Sequence, residues 1–182
     1  MTLETLALQG RNNIYHTMAA GVNHRLFDMR KTVIKESMSD FQGIEHRIEH
    51  VTKVHGIEFI NDSRANNANS TWFALESMNR PVIWIVGGLD KNKDYSILKP
   101  LVKTKVKSIV CLGIDNSKIF EDFGELVPLI IETSSAKEAV ETSYKLGVMN
   151  DIVLLSPACA SFDLFKNYED RGMQFKRAIY DL

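Results

Sequence analysis

The sequence predicts an α/β fold, a mostly parallel sheet with helices on both faces, preceded by a helical N-terminal segment. Three observations predict it. Short, continuous apolar runs such as Val82–Val86 and Ile152–Leu155 suit strands buried on both faces. Stretches of helical periodicity separate those runs. Gly, Asn, Ser and Pro stand where one pattern gives way to the next.

Taken in order, Asn12 or Asn13 caps a helix carrying Ile14, Met18, Ala19 and Val22. Asp28 caps a second, with Val33, Ile34, Met38 and Phe41 on one stripe. Two amphipathic helices with no strand between them cannot bury their apolar faces alone. Either they pack on the rest of the chain or they belong to something else. From Glu45 the pattern changes. Residues 48–54 and 57–60 are β-like runs around His55-Gly56, which predicts a tight hairpin. A helix follows over 67–78, with Ala68, Thr71, Trp72, Leu75 and Met78 on one face, and Pro81 stops it. The strand Val82–Val86 is broken by Gly87-Gly88. Helices over about 95–103 and 116–123 alternate with strands 108–112 and 129–131. Ser135 and Glu138 form a capping-box pattern that opens a helix to about Leu146. The strand Ile152–Leu155 precedes a last helix through Phe175, Ala178 and Ile179. Strands separated by helices of this length imply βαβ units, a Rossmann-like arrangement running from Glu45 to the C-terminus.

Composition narrows the function. The chain has 182 residues, with 22 Lys and Arg against 23 Asp and Glu, so no basic footprint for nucleic acid is expected. Two cysteines make no disulfide framework and fit a reducing cytoplasm. The longest apolar runs fall far short of the roughly 20 residues a membrane span needs. MTLETLALQG lacks the basic and apolar regions of a signal peptide. His46 and His50 read as one face of a strand, too far apart to share a metal, and no metal ligand is assigned.

Ligands of open α/β sheets bind beyond the carboxyl ends of the strands, which points to three loops. In 61–67, Asp62 offers a carboxylate to ribose hydroxyls and Arg64 a fork for a phosphate or carboxylate; a well-capped polar turn is the alternative. In 87–91, two glycines let a ligand approach the backbone and Lys91 adds a point charge; a plain turn would read the same. Neither G-x-x-x-x-G-K-[ST] nor G-x-G-x-x-G occurs, which argues against a P-loop and against a dinucleotide-binding dehydrogenase. In 155–163, a row of small residues exposes backbone N–H groups suited to a carboxylate. Cys159 lacks a nucleophile motif and reads as a small packing residue.

Together these loops are more specific than any one alone. EHRIEHV (45–51), FINDSRANN (59–67), IVGGLDKNKDY (85–95) and LLSPACASFDLFKNYEDRG (154–172) resemble the C-terminal part of the D-glutamate-adding members of the Mur ligase family. LQGRNNIYHTMAAG (8–21) resembles the tail of that family's central ATPase domain. The resemblance implies that 1–44 is a helical remnant of the central ATP-binding domain and 45–182 the Rossmann-like C-terminal domain. It implies part of an ATP-dependent ligase that joins D-glutamate to UDP-N-acetylmuramoyl-L-alanine in peptidoglycan synthesis, through an acyl phosphate. The P-loop and UDP-binding domains of such enzymes are not in these residues, so this part alone is expected to be inactive, with no complete catalytic set. ATP and Mg2+ would be bound mainly elsewhere.

The same resemblance places Lys91 on one glutamate carboxylate and Ser161 and Phe162 at the other, with Tyr168 lining the pocket. Asn66 stands near glutamate where the family has Thr. Arg47, Asp62 and Arg64 fall on the ribose and phosphate side of the nucleotide, and Asn13 near adenine. Arg64 replaces a family Lys. A cytoplasmic monomer, with no membrane or nucleic-acid partner, is implied. The alternative is a stand-alone α/β module that binds a nucleotide or amino acid without turnover.

Overall fold

The computed structural model describes residues 44–89 and 94–182. The chain divides into Met1–Ile44 and Glu45–Leu182, and the described strands and helices all belong to the second unit. The two predicted N-terminal helices, Asn13 and Lys91 lie outside the described residues.

The strands are β1 (Glu49–Val54), β2 (Ile57–Asn61), β3 (Val82–Val86), β4 (Val106–Leu112), β5 (Ile130–Thr133) and β6 (Ile152–Leu155). The helices are α1 (Ala68–Ser77), α2 (Lys99–Lys105), α3 (Ser117–Phe123), α4 (Ala136–Leu146) and α5 (Tyr168–Tyr180). One six-stranded sheet runs β1-β2-β6-β3-β4-β5. The pairs β2–β6, β6–β3, β3–β4 and β4–β5 are parallel. Only β1 runs antiparallel, joined to β2 through His55 and Gly56, both at positive φ (47° and 85°), as a two-residue I′ hairpin requires. The α/β expectation therefore holds.

Side chains alternate across the sheet. Trp84 and Val86 of β3 pack with Leu75, Leu98 and Phe123 on one face. Ile83 and Ile85 pack with Val140, Phe175 and Ile179 on the other. Helices α1 to α3 thus cover one face and α4 and α5 the other. A strand clothed on both sides can be apolar at every position, which is why VIWIV shows no two-residue period.

Several boundaries and caps differ from expectation. The helix expected over 95–103 is a 3-10 turn, Ser96–Leu98, followed by α2. Pro100 has no N–H to bond back into the preceding turn, so the α-helix starts there. β4 begins at Val106, before the predicted 108, because Val82 pairs with Val106 while Ile83 pairs with Ser108. The extra residue, Lys107, reaches Asp151 Oδ2 at 2.7 Å. The Ser135 cap does accept from Glu138 N (3.2 Å), but the Glu138 carboxylate accepts from Ser134 N, one residue further back. α1 ends without a glycine cap; Lys105 Nζ donates to the carbonyls of Leu75, Glu76 and Met78 at 3.1, 2.6 and 2.7 Å instead.

Candidate functional site

The loops after β2, β3 and β6 meet at one end of the sheet, as the strand-end rule requires. Ser156, the first residue past β6, joins two of the layers. Its Oγ donates to Asp62 Oδ2 at 2.8 Å and lies 3.0 Å from Thr71 Oγ1 on α1. Its carbonyl accepts from Trp84 Nε1 at 2.8 Å. Asp62 is held from the other side too: its N–H donates to Leu155 O (2.7 Å) and its Oδ1 accepts from Ile48 N (3.3 Å). Burial pushes the Asp62 carboxyl up to about 7, against the pull of the Ser156 hydroxyl, the Ile48 N–H, Arg47 and Arg171.

Arg171, on α5, ties the same loops from below. Its Nε donates to Ser63 Oγ (3.0 Å), and Nη2 donates to Ser63 O (2.8 Å) and Cys159 O (3.1 Å). Ser63 Oγ in turn donates to Tyr168 O at 2.8 Å. Arg171 is only 1% exposed. Burial brings it down to about 10, which leaves it protonated at neutral pH. Sequence reasoning does not single this residue out, although a signal is present. Arg171 stands four residues before Phe175, on the apolar stripe that continues to Ala178 and Ile179. A lone charge on such a stripe must find buried partners.

The glycine loop docks on the third. Gly87 N donates to Pro157 O (3.1 Å) and Leu89 N to Ala160 O (2.9 Å). This antiparallel bridge sets Leu89, two residues before Lys91, beside Ala160, the neighbour of Ser161. At Gly88 φ is +131°, and an added Cβ would lie 2.3 Å from Ala160 O and 2.9 Å from Cys159 Cβ. Gly88→Ala is accordingly expected to cost about 2 kcal/mol or more and to shift the amide resonances of 158–162 on the 182-residue chain. Unchanged resonances and melting temperature would show that the loop yields freely.

The predicted site residues differ in exposure. Ser161 is buried, its carbonyl accepting from Phe165 N at 2.9 Å, whereas Phe162 is 70% exposed. Asn66 is exposed and its Oδ1 accepts from Asn67 Nδ2 at 3.1 Å. Arg64 is exposed, with its guanidinium carbon 5.6 Å from the centre of the Tyr168 ring. Its N–H donates to His46 O at 3.1 Å, next to the half-buried Arg47. Tyr168, expected on the glutamate side, therefore touches Arg64, expected on the nucleotide side.

His46 is not on a strand, contrary to the periodicity argument. It precedes β1 in a turn, and Glu45, His46 and Glu49 place ligand atoms within 4.8 Å of one another. Lys176 Nζ already bridges Glu45 (2.9 Å) and Glu49 (2.7 Å), so an ammonium stands where a cation would sit. Cys159 is buried, as a packing residue would be. Burial pushes the Cys111 thiol up to about 12, far from a thiolate nucleophile. At the opposite end of the sheet, Met78, Arg80, Pro81, Lys105 and Lys107 border a hollow of about 440 Å³. Its cations are engaged, Arg80 by Glu58, Lys107 by Asp151 and Lys105 by the end of α1.

Residues 46–159 match the family model described as Mur ligase, glutamate ligase domain. The chain is 53% identical over 182 residues to UDP-N-acetylmuramoylalanine–D-glutamate ligase of Christiangramia forsetii. It is 49% identical over 183 residues to the protein of the same name from Bacteroides fragilis. Both matches cover 100% of this chain but 41% of the relative, so the chain spans about two fifths of the length of these curated relatives. Solved structures share the fold. UDP-N-acetylmuramate-alanine ligase from Thermotoga maritima matches with a TM-score of 0.68 at 12% identity, over 96% of this chain and 39% of that one. The MurF ligase of Thermotoga maritima in complex with ADP gives a TM-score of 0.65 at 9% identity, over 94% and 39%.

Proposed function

The chain belongs to the Mur ligase family, and on that premise we propose that residues 45–182 receive D-glutamate in an ATP-dependent ligase acting on UDP-N-acetylmuramoyl-L-alanine. The observation that supports this reading is the bridge from Leu89 to Ala160, residues that stand two before Lys91 and one before Ser161 in the sequence. A dicarboxylate needs cations and N–H donors at two separated points. Lys91 serves one carboxylate and the Ser161–Phe162 segment the other, with Tyr168 and Asn66 bordering the pocket. These groups orient the amine of the amino acid toward an acyl carbon, a positioning role.

ATP supplies the phosphoryl group that activates the substrate carboxylate. The backbone N–H of Arg64 donates to His46 O beside Arg47, and the two guanidinium groups are a donor set that would fit phosphate oxygens. Asp62 belongs to the ribose side. Its carboxylate already accepts from Ile48 and Ser156, so it serves the nucleotide chiefly by holding the Arg47 turn. No Mg2+ ligand is assigned to this unit; the ion and adenine, near Asn13, belong mainly to other parts of the ligase. The protein is read as a cytoplasmic monomer. Among the described residues no helix is long and apolar enough to cross a membrane.

The test is a titration of the 182-residue chain with D- and L-glutamate, followed by amide chemical shifts. D-glutamate is expected to move Gly88, Ser161 and Phe162, with L-glutamate weaker. Lys91→Ala should weaken D-glutamate binding about tenfold or more, the loss of one charge-assisted contact. Equal responses to the two enantiomers would remove the substrate assignment.

A further inference from the structure

The turn that carries Arg47 is strained, and the strain points to what holds it. His46 and Ile48 have φ of +62° and +45°. Histidine enters that region more readily than most residues, but a β-branched isoleucine there is a genuine outlier. Such geometry persists where surrounding bonds over-determine it. Here every peptide group flanking Arg47 is tied down. His46 N donates to Glu49 Oε2 (2.9 Å), His46 O accepts from Arg64 N (3.1 Å), and Ile48 N donates to Asp62 Oδ1 (3.3 Å).

Asn61 sits at the centre of this web and is fully buried. Its Oδ1 accepts from the backbone N–H of Ser63 at 3.2 Å, a group that can only donate. The amide orientation is therefore set, and Nδ2 faces acceptors: Glu49 Oε2 at 3.2 Å and Gly172 O at 3.4 Å. The nearest atom to Nδ2 is His46 Nδ1, at 2.9 Å. That ring nitrogen must accept, so its ring proton is on Nε2. His46 is buried, and its imidazole lies flush on α5: a Cβ at Gly172 would be 2.3 Å from His46 Nδ1. Glu49 completes the frame through its other oxygen, which accepts from Lys176 Nζ at 2.7 Å.

We propose that Asn61 is a positioning residue for Arg47, acting through His46, which it holds as the Nε2–H tautomer against Gly172. The role rests on the reading of Arg47 as the phosphate-side cation. Asn61 touches no substrate in this scheme. It converts the end of β2 into a defined address for a side chain in the turn before β1, and the neighbouring Asp62 secures the following peptide.

The tautomer is read by nitrogen-15 NMR of the histidines in the 182-residue chain, and the turn by amide exchange. In the wild type the His46 proton is expected on Nε2. Asn61→Asp keeps the shape but turns the donor into an acceptor, so Nδ1 should become protonated. Exchange at Ile48 and Arg64 should then rise at least tenfold, while Ile85 and Val110 in the sheet stay unchanged, which shows that the fold is retained. Asn61→Ala, lacking the donor without adding an acceptor, should loosen the same two amides and mix the tautomers. A wild-type proton on Nδ1 would overturn the proposal. So would an Asn61→Asp variant whose tautomer switches with no change at Ile48 and Arg64. Both readouts are made without ligand, so they stand apart from the outcome of the glutamate titration.

Discussion

Arg171→Met is expected to lower the stability of the domain by about 3–5 kcal/mol, a drop of roughly 10 °C in melting temperature for a chain of this size. The arginine makes three donor contacts into Ser63 and Cys159 from a site sealed from water. Methionine fills much of the volume but leaves the carbonyls of Ser63 and Cys159 without those donors, and each orphaned polar group costs about 1–3 kcal/mol. One effect runs the other way. Nη1 of Arg171 is buried without a hydrogen-bond partner, so removing the guanidinium also relieves a desolvation cost. The three lost donors outweigh the one relieved. Arg171→Lys should recover only part of the loss, because one ammonium cannot reproduce the planar fork. A thermal melt followed by circular dichroism decides it. A methionine variant melting within about 2 °C of wild type would mean that the desolvation cost of the arginine cancels its bonds. The Ser161 loop should loosen in step, since Cys159 and Ser63 are joined through this one side chain.

Asp62→Asn is expected to be more stabilising, relative to wild type, the higher the pH. The folded state holds the Asp62 carboxyl at about 7, above its ordinary 3.8. Folding therefore favours the protonated form. Below about pH 4 the group is protonated in folded and unfolded chains alike, and its contribution is fully present. Between about pH 4 and 7 the unfolded chain releases the proton and the folded chain retains it, so stability is lost progressively, by up to about 4 kcal/mol above pH 7. Asparagine resembles the protonated acid: its oxygen can accept from Ile48 N–H and its amide can donate toward Ser156. The difference in melting temperature between variant and wild type, measured at about pH 5 and pH 8, should widen by several degrees. A constant difference would show that Asp62 ionises freely in the fold, through its contacts with Ser156 and with Arg47 and Arg171. The cost of keeping an acid here is consistent with a site residue, since natural proteins retain locally unfavourable groups at functional positions.

The sheet and its crossovers are legible in the sequence because they are local and periodic. The runs 82–86 and 152–155 are apolar at every position, and helical stripes lie between the strands. The hairpin at His55-Gly56 is legible because only certain residues tolerate two positive φ angles in succession. The boundaries that moved are set by backbone hydrogen bonding: the missing N–H of Pro100 and the bulge at Lys107. The site is legible as motifs. The four stretches 45–51, 59–67, 85–95 and 154–172 carry the family resemblance, and the relatives bear the family out. What the motifs leave open is which of their residues face a ligand and which hold the loops. Asp62 reads as an acceptor for ribose hydroxyls, and it is buried with its oxygens on Ile48 and Ser156. Arg171 is marked only as a lone charge on the apolar stripe of its helix, and Asn61 stands inside its motif with nothing local to mark its role.

The sequence by itself determined the α/β class and the loops that end the strands, because periodicity and turn chemistry act over a few residues, and its motifs carried the resemblance to the family that the relatives show. Only the tertiary structure decided that Arg171 reaches Ser63 across 108 positions and Asn61 reaches Gly172 across 111. A buried polar group must be matched by whatever partner the fold brings within about 3 Å, and no local pattern encodes that partner's place in the chain.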